Sequence, residues 1–121
     1  SHESSAHINF KKAILAAKEG DTELTLKELT PVRLLKNEFH SSVKEAYLKN
    51  ASIEDLSKLL GRGRAKKGMF EGDLQNGELE IGQIAGIMKE LLSAEQIILD
   101  LVNEFNEAQN ELTKISLNQN D

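Results

Sequence analysis

The 121-residue sequence predicts an all-α fold, and three observations support this prediction. Proline occurs once, and aromatic residues make up only 4% of the chain. Leucine, lysine, glutamate and alanine, which favour helices, recur throughout the sequence. In the C-terminal third, apolar residues return every seven positions, which is typical of helices that pack along a seam.

The first helix is predicted over residues 7–18, because Phe10 and Ile14 share one face and Gly20 provides a stop. The next stretch, "DTELTLKEL", alternates Leu24 and Leu26 with polar residues. That pattern fits a short strand. Since the chain offers no second strand candidate, we interpret the stretch as an extended connector.

Two further helices are predicted from their start signals. Thr30 as N-cap and Pro31 at the first helical position predict a helix that continues to about Lys49. Ser52, followed three residues later by an aspartate, resembles a capping box and predicts a short helix that ends at Gly61.

The C-terminal helical region shows two apolar series of period seven. Ser93 followed by Gln96 predicts a new helix start, and therefore a break in this region. The two series are Ile84, Leu91, Ile98, Phe105 and Leu112, and Ile87, Ala94, Leu101, Ala108 and Ile115.

The bulk composition excludes several classes of protein. A formal net charge of -5 and an isoelectric point near 5.3 argue against binding to nucleic acid or to an anionic membrane. No apolar run approaches the roughly 18 residues of a membrane span. The chain has no cysteine, so it lacks disulfides and thiol chemistry, and we expect a cytoplasmic protein.

The stretch "GRGRAKKGMFEGDLQNGELEIGQIAG" contains seven of the eight glycines. Gly63 and Gly68 have the spacing of a phosphate-binding loop, but Met69 follows where lysine is required. A dinucleotide fingerprint also fails, because Lys66 stands where its third glycine belongs. The glycines therefore do not form either phosphate-binding motif.

The same stretch begins with a basic cluster and continues with an acidic one. We favour a solvated surface whose charges compensate each other. The alternative is a site for an anionic small molecule or for the acidic patch of a partner. The basic residues are Arg62, Arg64, Lys66 and Lys67, and the acidic residues are Glu71, Asp73, Glu78 and Glu80.

No catalytic or metal site is predicted within this chain. His2, His7 and His40 lack the spacing of a helical metal site. Glu3 and His7 fit either a carboxylate-oriented imidazole or, as we favour, a surface contact at a helix end. Ser41 beside His40 is an ordinary pair on a helix surface rather than a nucleophile with its base.

Gly82 and Gly86 lie near the start of an apolar helical segment, "EIGQIAGIMKE", where each glycine costs about 1 kcal/mol relative to alanine. Either tight packing or the approach of a flat ligand to the backbone explains such glycines. In the second case the amide of Gln83 would contact a cofactor or substrate. The residues alone leave both explanations open.

The segments "ESSAHINFKKAI", "PVRLLKN" and "GDLQNGELEIGQIAG" resemble the C-terminal third of the nitronate monooxygenase family, formerly called 2-nitropropane dioxygenases. That family shares a superfamily with the flavin-dependent enoyl-acyl-carrier-protein reductases. The resemblance covers about residues 3–105. It implies a flavin enzyme built on a (β/α)8 barrel with FMN at its mouth and a helical lid.

A barrel of this kind takes about 250 residues, so we expect this chain to be a fragment of such an enzyme. The resemblance implies that residues 7–92 form the lid and the return loop to the flavin, 94–115 the terminal helix and 116–121 a frayed tail. It also assigns Gly82, Gln83, Ile84 and Ala85 to the lining of the flavin or substrate site, with Ile84 where many relatives have serine or glycine.

We therefore expect one helical fragment, 1–121, of an FMN-dependent, nitronate monooxygenase-like oxidoreductase, inactive alone and without bound FMN. Its parent would act on a small nitronate. One alternative is a flavin-dependent reductase that acts on an enoyl thioester, and another is a stand-alone helical interaction module. We also expect self-association through the apolar seam from Ile84 to Ile115.

Overall fold

The computed structural model describes residues 1–115, and these form two units. The larger unit is Ser5–Glu90, and the smaller unit combines Ser1–Ser4 with the chain from Leu91 onward. The larger unit contains α1 (Ile8–Ala16), β1 (Thr22–Thr25), β2 (Val32–Leu35), α2 (Glu38–Leu48), α3 (Ile53–Leu60), a π-helical turn (Lys66–Phe70) and a 3₁₀ helix (Gln83–Ile87). The smaller unit contains α4 (Ala94–Leu112).

The described chain is mainly helical, but the all-α prediction missed an antiparallel pair of strands. The stretch interpreted as a connector is β1, and β2 pairs with it so that Thr22 lies opposite Leu35 and Thr25 opposite Val32. Thr30 and Pro31 precede this strand rather than a helix. The helix α2 begins only at Glu38.

The sequence of β2 was misread because both faces of the strand are covered. Successive side chains of a strand point to opposite faces. Leu34, fully buried, packs into a first core with Phe39 and Val43, whereas Leu35 packs into a second core with Phe10. A strand that is buried on both sides carries consecutive apolar residues, and these do not distinguish it from a helix.

Asn37 provides the true start of α2. Its side-chain oxygen accepts the N–H of His40 at 2.9 Å. Its side-chain nitrogen donates to the carbonyl oxygens of Leu74 at 3.0 Å and Gly77 at 2.8 Å. One asparagine therefore caps the helix and fastens it to the glycine-rich segment.

The predicted start of α3 is confirmed, and that of α1 differs by one residue. In α3, Ser52 and Asp55 form the predicted capping box, and Gly61 ends the helix with a φ of 66°. The helix α1 is shorter than the predicted 7–18, because His7 is its N-cap and accepts the N–H of Asn9 at Nδ1.

In the smaller unit, α4 begins at the predicted break. The hydroxyl of Ser93 accepts the N–H of Gln96 at 3.1 Å, and a carboxylate oxygen of Glu3 accepts the N–H of Ala94 at 2.9 Å. Glu3 therefore acts at the start of α4. The helix ends at Leu112, within the predicted range 94–115, and the predicted tail 116–121 lies outside the described residues.

The apolar seam is shorter than predicted. Ile84 and Ile87 belong to the 3₁₀ helix of the larger unit, and residues 88–92 are not helical, so the period of seven is interrupted. Within α4 no residue is buried. Among residues 1–115, no helix has the length and apolar content that crossing a bilayer requires.

Candidate functional site

The segment that carries the predicted site is held against the free edge of β2. The N–H of Leu35 donates to the carbonyl oxygen of Leu79 at 2.9 Å, and the N–H of Ile81 donates to that of Arg33 at 3.1 Å. These bonds add a third extended segment to the two strands and deliver the chain at Gly82, where the 3₁₀ helix begins.

The four predicted site residues do not all face outward. Gly82, Gln83 and Ile84 are exposed, with 61% of Ile84 accessible. Ala85 is 1% exposed, so its methyl group is part of the interior of the unit. The structure therefore brings three of the four residues together on one surface, and Ala85 supports that surface from below.

The two glycines of this segment have different environments. A Cβ at Gly86 would lie 3.0 Å from the carbonyl oxygen of Lys18 and from the nitrogen of Glu19, so Gly86 permits close packing of two backbones. A Cβ at Gly82 would meet nothing within 4 Å. Packing accounts for Gly86, whereas the space beside Gly82 is open.

A cleft of about 600 Å³ adjoins these residues, a volume within the usual range for small-molecule sites. Its walls combine exposed isoleucines with an amide and a guanidinium. They are formed by Glu19, Gly20, Thr22, Arg33, Gln83, Ile84 and Ile87. Sequence reasoning did not select Arg33, because Arg33 and Gln83 are 50 positions apart and line one cleft only when β2 pairs with the segment 79–81.

Two lysines of the basic cluster pair with acidic residues of the same stretch, as the favoured interpretation expects, whereas Arg64 is bonded within the fold. Lys66 Nζ lies 3.6 Å from Glu71 Oε1, and Lys67 Nζ lies 3.0 Å from Asp73 Oδ2. Arg64 donates to three backbone carbonyl oxygens, and its guanidinium carbon lies 4.5 Å from the centre of the Phe39 ring. These contacts leave the cluster few charges for an external anion.

Asp73 and Glu78 show opposite shifts within this stretch. The N–H of Asn76, and then the ammonium of Lys67, lower the pKa of Asp73 to about 2. Burial raises the pKa of Glu78, the charge of Glu80 adds to this effect, and Arg64 opposes it. Both carboxyl groups belong to the turn that leads to Gly82 rather than to the cleft.

His40 is buried beside charged groups. Its Nε2 lies 3.2 Å from Glu23 Oε2 without the geometry of a hydrogen bond, and Lys44 Nζ lies 3.5 Å from the same oxygen. Burial lowers the pKa of His40, while the carboxylate of Glu23 opposes the shift. Ser41 donates to the carbonyl oxygen of Asn37, so it is not a nucleophile paired with His40. Across residues 1–115, no three His, Cys, Asp or Glu side chains are grouped to hold a metal ion.

Comparison with the sequence models of protein families assigns this chain to a family. The sequence model of the nitronate monooxygenase family matches residues 1–104. This chain belongs to the nitronate monooxygenase family. A comparison with curated proteins gives no significant match.

Solved structures agree with the family assignment. FabK from Thermotoga maritima matches with a TM-score of 0.78 and 30% identity, over 89% of this chain and 34% of its own length. A point mutant of that FabK matches with a TM-score of 0.74 and 31% identity, over 93% of this chain and 33% of its own. This chain thus spans about a third of the length of these relatives.

Members of the nitronate monooxygenase and FabK families are flavin enzymes, and the residues of the cleft are compatible with part of a flavin site. Ile84 and Ile87, each 61% exposed, offer apolar surface to a flat ring. The side-chain amide of Gln83 makes no hydrogen bond to any described residue, so it is available to the polar edge of such a ring. Ala85 cannot contribute its side chain, because it is buried.

Proposed function

We propose that this chain is part of an FMN-dependent, nitronate monooxygenase-like oxidoreductase and forms one wall of its flavin and substrate pocket. The observation that carries the proposal is that Gln83 and Ile84 line the cleft, directly after the exposed Gly82, within a chain that belongs to this family. When bound, FMN would take electrons from the nitronate and pass them to oxygen.

Each rim residue has a distinct role in this proposal. Gly82 keeps a side chain away from the ring, since the space beside its Cα is open. Gln83 donates or accepts a hydrogen bond at the ring edge, and Ile84 excludes water from the ring face. The pairing of residues 79–81 with β2 fixes the position of all three.

The test uses a full-length protein that contains this chain. We expect it to retain FMN through purification and to consume oxygen when propane nitronate is added. Gln83→Ala should weaken FMN retention or raise KM, whereas Gln75→Ala, which removes an exposed glutamine outside the cleft, should change neither. Absence of flavin from the folded full-length protein would contradict the proposal.

A second candidate function is supported by the structural neighbours. FabK is an enoyl-acyl-carrier-protein reductase of the same superfamily, and its structures match about nine-tenths of this chain. Under this alternative the full-length protein would oxidise a nicotinamide cofactor when an enoyl thioester is supplied. Comparing this rate with the nitronate-dependent rate in one preparation separates the two functions.

We propose that the isolated 121-residue chain is inactive and does not hold FMN tightly. Among the described residues the cleft has an apolar wall and a polar rim but no glycine-rich phosphate loop. Titrating FMN into the chain should therefore leave the flavin fluorescence nearly unchanged. Stoichiometric quenching would show that the chain contains a complete site.

We also propose that the isolated chain self-associates through the apolar face of α4. Ile98, Leu101 and Phe105 lie on one face and are each more than half exposed. In a parallel pair of α4 helices, Glu104 of one copy would lie opposite Gln109 of the other. In an antiparallel pair, the acidic residues that flank the apolar face of each helix would lie opposite each other.

Sedimentation equilibrium at micromolar concentration tests this association. Phe105→Glu should yield a monomer, because it places a charge within the apolar face. Asn103→Glu adds the same charge on the opposite face of the helix and should leave the association intact. A monomeric wild-type chain would refute the proposal.

A further inference from the structure

We infer that Arg33 is the anion-binding residue of the cleft beside Gln83, and that the cleft accepts a small organic oxyanion with two planar oxygens. Arg33 lies on β2, the strand that fixes the segment 79–81, and its side chain lines the same cleft as Ile84 and Ile87. This inference rests on the proposed function for the identity of the anion, a nitronate, but not for the presence of the site.

The guanidinium of Arg33 is fixed on one side only. Its Nη1 donates to the carbonyl oxygen of Thr22 at 3.3 Å and to the hydroxyl oxygen of Thr22 at 3.2 Å. Nε and Nη2 have no hydrogen-bond partner among residues 1–115. These two nitrogens form the edge that binds a carboxylate with two parallel hydrogen bonds.

The charge of Arg33 is also not compensated. No described carboxylate lies within 4.0 Å of its guanidinium, although Glu19 also lines the cleft. Arg33 is half-buried, so water screens its charge less than that of an exposed arginine. A half-buried guanidinium with a free edge favours an anion over a neutral ligand of the same shape.

The remaining walls define the body of the ligand. Ile84 and Ile87 present apolar surface, and the amide of Gln83 lies on the rim. A ligand with a planar two-oxygen head and a short branched apolar body fits this combination. Carboxylates and nitronates share that head, whereas phosphate is tetrahedral and lacks the apolar body.

The experiment titrates the 121-residue chain with two ligands of equal shape, isobutyrate and isobutyramide, and follows the backbone amides of residues 82–87 by NMR. We expect isobutyrate to bind at least about tenfold more tightly, because two charge-assisted hydrogen bonds replace neutral ones. Propane nitronate should bind like isobutyrate. Equal binding of the two isobutyrate analogues, or tighter binding of inorganic phosphate, would overturn the inference.

Variants assign the preference to one residue. Arg33→Gln should abolish the preference for the anion, and Arg33→Lys should reduce it, because lysine keeps the charge but lacks the two-point edge. Arg62→Gln removes the same charge from an exposed position outside the cleft and should leave the preference unchanged. An equal loss with Arg62→Gln would show that the preference is a nonspecific effect of net charge.

The outcome of this anion-binding experiment is independent of whether the full-length protein binds FMN. Should Arg33→Gln fail to fold, the comparison of isobutyrate with isobutyramide on the wild-type chain still decides the inference. Loss of the anion preference would leave the flavin proposal standing. A full-length protein without flavin would refute the proposed function and leave this preference measurable.

Discussion

Replacing Arg64 with methionine is expected to destabilise the larger unit by about 3 kcal/mol. The side chain of Arg64 connects the end of α3 to the glycine-rich segment. Nε donates to the carbonyl oxygen of Leu60 at 2.7 Å, Nη2 to that of Leu59 at 2.9 Å and Nη1 to that of Asn76 at 2.8 Å. The guanidinium also lies over the ring of Phe39.

The magnitude follows from the exposure of each contact. The bonds to Leu59 and Leu60 are partly buried, and each contributes about 1 kcal/mol. The bond to Asn76 is exposed and contributes little, because water replaces it. Stacking on Phe39 adds about 0.5–1 kcal/mol. Methionine keeps most of the apolar stem, so the loss comes from these polar contacts.

Tyrosine fluorescence during urea unfolding provides the assay. Tyr47 is the only tyrosine, the chain has no tryptophan, and Tyr47 lies in α2, so the signal reports on the larger unit and not on α4. Arg62→Met removes an exposed arginine two positions away and should change the free energy of unfolding by less than about 0.5 kcal/mol. Arg64→Lys should lower the free energy of unfolding by more than half of the loss caused by Arg64→Met, because lysine cannot form the same fork of hydrogen bonds.

Two results would refute this reasoning. A loss below about 1 kcal/mol for Arg64→Met, at an unchanged denaturant slope, would show that the three carbonyl contacts contribute no net stability. Similar losses for Arg62→Met and Arg64→Met would show that the charge of the segment, rather than the geometry of one fork, is what matters.

Three other predictions concern stability. The folded pKa of Asp73 is about 2, below its ordinary 3.8. Its ionised carboxylate therefore stabilises the fold above pH about 4, and this stabilisation is lost as the pH falls towards 2. Asp73→Asn should flatten this acid dependence of the free energy of unfolding in urea titrations. Gly68→Ala should cost about 2 kcal/mol, since its Cβ would lie 2.8 Å from the Glu78 carbonyl oxygen, whereas Gly82→Ala should be nearly neutral by thermal melting. Burial lowers the folded pKa of His40, so stability should fall as pH drops below about 6.5, and His40→Gln should remove that dependence.

Local signals in the sequence predicted the helix starts that depend on them. These caps join residues that are three positions apart, as in the capping box of Ser52 and Asp55 and the cap formed by Ser93. Both partners of each interaction can therefore be recognised within a short stretch of sequence. Asn37 is different, because two of its three side-chain hydrogen bonds reach residues 37 and 40 positions away. The start of α2 could not be located without the fold.

The strands were missed for a related reason. Consecutive burial of Leu34 and Leu35 arises from two separate cores on opposite faces of β2. Until those cores are known, Thr30 and Pro31 are good helix-start signals. The tertiary environment overrides them, because Val32–Leu35 gains a partner on each edge, β1 on one and residues 79–81 on the other.

The candidate site is predicted by resemblance, and the structure shows the environment of each predicted residue. Ala85 is buried, Gly86 is accounted for by packing against Lys18, and Gly82 remains open. No pattern of neighbouring residues could have included Arg33. It enters the cleft through strand pairing, which brings together segments that are distant in sequence.

Two arginines of this chain show why a basic cluster is a poor guide to an anion site. Arg64 belongs to the conspicuous cluster, yet carbonyl oxygens occupy all three of its nitrogens. In the sequence Arg33 stands between apolar residues, and in the fold Thr22 occupies only its Nη1. An arginine can bind an external anion only with N–H groups that the protein has not already used. The isolated arginine is therefore the better candidate, and the number of charges in a segment says less than the bonding of each guanidinium.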